Sequence, residues 1–175
     1  ANAADLTGDD ILDKVKESID AESAQLIMNM ELYSESGSKR ERKLEAWTME
    51  GEQDKALIRF TEPANIEGTG FLSQDKKNGD EEMYLYMPAL GSVRKIAGSQ
   101  KNGSFVGTDF SYNDLSILGG GNYKEDYDAE IKEEDSSQYT LKIVPTDEDI
   151  EYKYGKMWVN KSNWVPTKIE FYDTQ

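Results

Sequence analysis

The sequence predicts a mainly β fold with an N-terminal α-helix, a strongly curved antiparallel sheet, and three observations carry that expectation. Apolar residues recur at helical spacing only near the start, at Ile11, Leu12, Val15 and Ile19. From Ala24 onward the period shortens to two, in one short run after another. Turn residues separate the runs, at Ser36-Gly37-Ser38, Gly51 to Asp54, Lys77-Asn78-Gly79-Asp80 and Asn160-Lys161-Ser162-Asn163. Successive antiparallel strands joined by short turns, with one helix ahead of them, favour a bent sheet carrying the helix on one face.

Thr7 followed by Asp10 forms a near-capping box, which starts a helix of roughly Asp9 to Ser18. In the first strand Ala24, Leu26, Met28, Met30 and Leu32 share one side, with Gln25, Asn29 and Glu31 opposite. The same alternation sets Leu44 and Ala46 against Trp47, groups Ala56, Ile58 and Phe60, and sets Met83, Leu85 and Met87 against Tyr84 and Tyr86. Asn78-Gly79 is the strongest hairpin signal, because both central positions of a type I′ turn need positive φ. After Pro88 the alternation stops. An irregular region reaches Tyr123, with Gly98, Gly103, Gly107 and Gly119-Gly120-Gly121, and a short helical turn is expected from Tyr112 to Leu118. Strand patterns resume over Tyr123 to Ile131, Tyr139 to Val144, Ile150 to Val159 and Trp164 to Tyr172.

At 175 residues the chain is expected to form one domain over 1–175, large enough to bury a core without metal or disulfide help. A net charge of −15 repels nucleic acid and disfavours approach to an anionic membrane surface. The sequence has no histidine and no cysteine, which removes thiol nucleophiles, the usual zinc sites and any triad with an imidazole base. Carboxylates, lysines, tyrosines and serines remain, but no pair among them stands out, so no catalytic residue, metal or cofactor is expected. No apolar stretch approaches the roughly 20 residues that span a bilayer as a helix. Ala1-Asn2-Ala3-Ala4 fits either the remnant of a signal-peptidase site or that of an expression tag.

Several motifs fail on inspection. A calcium loop from Asp147 needs glycine at its sixth position and glutamate at its twelfth, where Tyr152 and Trp158 stand. Gly98 and Gly103 have the outer spacing of a phosphate loop, but Ser104 occupies the lysine position. The acidic clusters Asp80-Glu81-Glu82, Glu133-Glu134-Asp135 and Asp147-Glu148-Asp149 read as solvated turn charge that keeps strand edges from pairing. The methionines Met28, Met30, Met83 and Met87 either fill a core or form an adaptable apolar lining, since unbranched thioethers accommodate many shapes. Most aromatics are read as packing. Phe105 and Phe110 differ, because a glycine-flanked loop can open over a cavity mouth. Arg94 and Lys95 are read either as a solvated strand edge or as donors to a head group or lid carbonyl.

The run Ser104-Phe105-Val106-Gly107-Thr108-Asp109-Phe110-Ser111-Tyr112-Asn113-Asp114-Leu115 places two phenylalanines and a tyrosine where no hydrophobic period explains them. With Trp47 and Met49, Phe60 to Pro63, Gly68-Thr69-Gly70, Tyr84-Leu85-Tyr86-Met87-Pro88 and Val93-Arg94-Lys95-Ile96, it resembles the outer-membrane lipoprotein-sorting proteins of the LolA-like superfamily, over Leu26 to Tyr172. The resemblance implies an incomplete barrel covered by helices, with an apolar cavity between sheet and lid. It implies a periplasmic carrier of lipoprotein or lipid acyl chains that needs no covalent chemistry and that meets a membrane transporter or an outer-membrane acceptor. On that reading the lipid-binding residues are Met28, Met30, Leu44, Phe60, Phe71, Met83, Leu85, Met87, Phe105 and Phe110. Arg94 and Lys95 then contact a head group or the lid, and no motif fixes the family's latch arginine. Two other readings stay open, an accessory subunit of a membrane transporter and a carboxylate-based glycan hydrolase. Family members continue past the strand ending at Tyr172, so a short or truncated chain is expected, and closure of the sheet edge is left undecided by the sequence.

Overall fold

The computed structural model describes residues 6–76, 81–108, 110–112, 115, 123–146 and 152–173. The chain divides into two compact units, one of Ala21–Gly119 and one of Ala1–Asp20 with Gly120–Gln175. Its described strands are all antiparallel and fall into two sheets, where one continuous curved sheet was expected. The Asn78-Gly79 tip, most of the Tyr112 to Leu118 turn and the Asp147-Glu148-Asp149 cluster lie outside the described residues.

Unit Ala21–Gly119 is a six-stranded meander of β1 (Ser23–Tyr33), β2 (Lys39–Met49), β3 (Lys55–Glu62), β4 (Gly70–Asp75), β5 (Glu81–Met87) and β6 (Ser92–Ile96), in that spatial order. Gly37, at φ +79°, makes the tight β1–β2 turn, which sets Tyr33 opposite Lys39. The register then runs Met28 to Leu44, Leu44 to Phe60, Ile58 to Phe71, and Phe71 to Leu85. Period two therefore carries one apolar face across the sheet, as the alternation predicts. The strands β4 and β6 escape the sequence pattern. β4 alternates over only a few residues, and β6 is an edge strand with every residue exposed except Ile96.

The second unit pairs helix α1 (Gly8–Ile19) with a four-stranded sheet of β7 (Tyr127–Glu134), β8 (Gln138–Pro145), β9 (Tyr152–Asn160) and β10 (Pro166–Asp173), ordered β10-β9-β8-β7. The capping box forms as expected: the Asp10 N–H donates to Thr7 Oγ1 at 3.1 Å and the Thr7 N–H to Asp10 Oδ2 at 2.8 Å. Ile11, Leu12 and Val15 are buried at 0% exposure and Ile19 is half-buried, so the helix turns its apolar stripe to this core. Asp9 Oδ1 accepts the Ala129 N–H at 2.9 Å, and the Ser18 hydroxyl donates to the Trp164 carbonyl at 3.1 Å. Tyr123 to Ile131 is not one strand: Tyr123–Asp126 forms a helical turn, α2, and pairing begins at Tyr127 opposite Pro145. Trp164 likewise precedes its strand, at φ +61°.

Gly8 shows what seats α1 on β7. A Cβ there would lie 2.2 Å from the Ala129 carbonyl oxygen and 2.4 Å from its carbon, a clash with backbone that no rotamer relieves. Gly8→Ala is expected to lower Tm by several degrees, on the order of 1–3 kcal/mol of overpacking. A calorimetric scan in which Gly8→Ala melts with the parent would disprove that seating. At the other unit's β4–β5 end, burial raises the pKa of Glu81, with Asp75 adding to the rise and Lys101 and Ser73 opposing it. A carboxyl raised in the folded state binds its proton more tightly there, so folding is favoured below the unfolded pKa and disfavoured once pH passes the folded one. Glu81→Gln is therefore expected to raise Tm at pH 7, and the gain should vanish near pH 4.

Candidate functional site

The inner face of the six-stranded sheet gathers every apolar residue expected at a lipid site. Met30, Leu44, Phe60, Phe71, Met83, Leu85 and Phe105 are buried in one cluster, with Met28, Met87 and Phe110 partly buried against it. The sheet residues reach this face by phase. The two phenylalanines come from the loop after β6, which returns over the sheet and places Phe105 at the centre of an aromatic group. Its ring lies 5.5 Å from each of Phe60, Phe71 and Tyr112, stacked on the first and edge-on to the other two. Phe105 is 1% exposed, so this loop residue, together with Tyr112 and Leu115, fills the face where the resemblance implies an apolar cavity, because the loop's own aromatic side chains occupy that space.

The loop holds its own shape. Its Phe105 N–H donates to the Phe110 carbonyl at 2.7 Å, and the buried Thr108 hydroxyl bonds the Phe105 and Phe110 carbonyls while accepting the Phe110 N–H. Ser104 and Ser111 pair as an isolated bridge that closes the loop base. At the tip, Val106 and Gly107 take positive φ, +48° and +69°. Glycine adopts that region freely, whereas for a β-branched valine it stores on the order of 1–3 kcal/mol.

Arg42 of β2 fastens this tip. It is 8% exposed, its Nη1 donates to the Val106 carbonyl at 2.8 Å and its Nη2 to the Gly107 carbonyl at 3.4 Å, and its guanidinium lies 5.6 Å from the Phe60 ring centre. Burial, then the neighbouring Arg40, lowers its pKa, yet a guanidinium keeps its charge in proteins. Arg42 was missed because it stands in the charged run Lys39-Arg40-Glu41-Arg42-Lys43. Its even phase with Leu44 and Ala46 is the signal that would have pointed it inward.

The two basic residues proposed from sequence are separated by the pleat. Arg94 stands opposite Leu85 on the inner side, near enough to Tyr112 to oppose the burial that raises its hydroxyl pKa. Lys95 stands opposite Tyr84 on the outer face, bonded to Glu82. Lys76, at 2.7 Å, and the Tyr84 hydroxyl, at 2.9 Å, complete that group and help hold the Glu82 pKa down at about 2. Among the described residues, no cluster of three or more acidic, histidine or cysteine side chains could hold a metal ion.

A family model described as "-like: Uncharacterized protein" matches residues 52–175. The chain belongs to that family. No curated protein matches the chain. Among solved structures, this family member is similar to a domain from Vibrio parahaemolyticus provisionally described as an outer membrane lipoprotein-sorting protein, with 29% identity, a TM-score of 0.63, and coverage of 95% of this chain and 72% of that one. It has the fold of a DUF1329 family protein from Desulfovibrio piger, at 24% identity, TM-score 0.64 and coverage of 95% and 72%. A LolA superfamily protein from Nitrosomonas europaea matches it at 20% identity, TM-score 0.52 and coverage of 97% and 73%. The LolA-like resemblance of the sequence is thus met in the fold.

The Arg42 geometry makes a specific demand. Arg42→Gln removes charge-assisted bonds worth about 1.5–3 kcal/mol. Amide exchange at Phe105 and Thr108 should accelerate more than tenfold while β2 and β3 stay protected. Unchanged exchange at those two amides would show that Arg42 does not hold the loop.

Proposed function

We propose that this protein is a periplasmic carrier of acyl chains, from lipoprotein or free lipid, and that the chains occupy the inner face of the six-stranded sheet when the 104–111 loop lifts. The observation that carries this reading is the seating of Phe105. The side chain of a loop residue, in a loop fastened through two carbonyls by one arginine, sits in the buried apolar cluster against Phe60, Phe71 and Tyr112. Lifting the loop vacates the centre of that face without unmaking any strand.

Magnitudes favour exchange. Removing Phe105 from its site costs about 3–5 kcal/mol, whereas an acyl chain gains about 0.8 kcal/mol per methylene buried, so roughly a dozen methylenes exceed the cost. Methionines at positions 28, 30, 83 and 87 suit a lining that admits chains of different shape. Reclosure of the loop shrinks the space again and favours release to an acceptor. The net charge of −15 keeps a loaded carrier soluble and away from anionic membranes between transfers. The helix-covered incomplete barrel over residues 1–175 and a non-enzymatic role belong to the same reading.

Native mass spectrometry of protein purified from a host with an outer membrane is expected to find co-purifying acylated lipid. Titration with a fluorescent acyl probe should show at least fivefold tighter binding to Phe105→Ala and Arg42→Leu than to the parent, provided each melts cooperatively. Equal affinity for all three, or hydrolytic turnover of a glycan abolished by a single carboxylate change, would overturn the carrier reading.

A further inference from the structure

The outer face of the same sheet carries a second apolar feature that the carrier reading does not use. A trough of about 970 Å³ has Leu57, Leu72, Tyr84 and Tyr86 on its floor and continues past Leu57 and Leu72 into an adjoining hollow of about 480 Å³ beside Trp47. Its depth follows from Gly70, which stands between Arg59 and Tyr86 in the register and has no side chain to fill the line. Gly68 and Pro88 close in on one side. The cross-strand line from Gln25 through Trp47, Leu57, Leu72 and Tyr84 to Lys95 crosses six strands, about 24 Å at ordinary strand spacing. Leu57 is 41% exposed and Tyr86 39%, so this apolar surface meets water.

Charge selects the occupant. On this face Lys39, Lys43 and Lys95 are each held by glutamates. The two cations that line the trough and its extension, Arg59 and Lys55, form no ion pair among the described residues. Glu67 is the single carboxylate among the lining residues. Among the lining residues the balance thus inverts that of a chain with 35 acidic and 20 basic residues, while Glu45 stands across from Arg59 on β2 without forming an ion pair with it. An apolar channel with two cations outside any ion pair at its side fits a chain molecule with one anionic end. We infer that this outer trough is a binding site for a free fatty acid, its chain along Leu57, Leu72 and Tyr84 and its carboxylate at Arg59 or Lys55.

The test uses the whole chain and a photoreactive diazirine fatty acid below its micelle concentration, with adducts mapped by mass spectrometry. Adducts are expected on the outward residues of β3 to β5, displaced by dodecanoate but at least tenfold less well by dodecanol. Arg59→Gln with Lys55→Gln should weaken dodecanoate at least tenfold and leave dodecanol unchanged. Gly70→Leu, whose Cβ has its nearest neighbour 3.9 Å away, should fold normally and block labelling there. The inference is overturned if adducts fall only on inner residues such as Met83 and Phe105, an outcome that leaves the carrier reading standing. It is overturned equally if the double variant binds as the parent does, if dodecanol competes equally, or if sedimentation shows a dimer dissolved by Leu57→Arg, which would give the face to a second copy. Labelling confined to the outer face would support this site and count against the inner one.

Discussion

A six-stranded sheet with an entire apolar face must cover that face, and a loop alone has too little regular structure to do so unless its own side chains become core. That constraint organises the larger unit. Phe105, Tyr112 and Leu115 are simultaneously loop residues and core residues. The sheet supplies the matching surface through its register, which from Leu44 onward, past a shift between Lys43 and Leu44, brings Leu44, Phe60, Ile58, Phe71 and Leu85 to one side by alternation. Stability and access are therefore controlled by the same few contacts, since whatever admits a ligand must first withdraw part of the core.

The two faces of the sheet divide the physical work. The inner face is closed by aromatic contacts and by Arg42, with desolvated donors that gain strength from burial. The outer face is open, and its charges are screened: Glu82 gathers Lys76, Lys95 and Tyr84 at the surface, where such groups contribute little to stability. Leaving Arg59 and Lys55 out of these pairings is what gives the outer trough its sign.

Much of the site was legible in the sequence because period two is a strong constraint: Met28, Met30, Leu44, Phe60, Met83, Leu85 and Met87 needed only a strand assignment to fall on one face. The helix was equally plain, because Thr7, Asp10 and the Ile11–Leu12–Val15 stripe agree with one another. What escaped was governed by long-range contacts. The strand β6 has no buried residue until Ile96 and exists by pairing with β5, while Tyr123–Asp126, with three charged residues that suit a strand poorly, coils before the pairing begins. The break into two sheets follows the irregular stretch that the glycines foretold, though alternation alone could not say that the pairing would stop there. Arg42 was hidden for a different reason, because composition marks a charged run as exposed while phase turns one of its members inward.

The guanidinium at the loop tip also bears on control. Histidine fasteners let go in mild acid and carboxylate ones in stronger acid, but arginine keeps its proton throughout, and a peptide carbonyl has none to gain. A clasp of that composition is deaf to acidity.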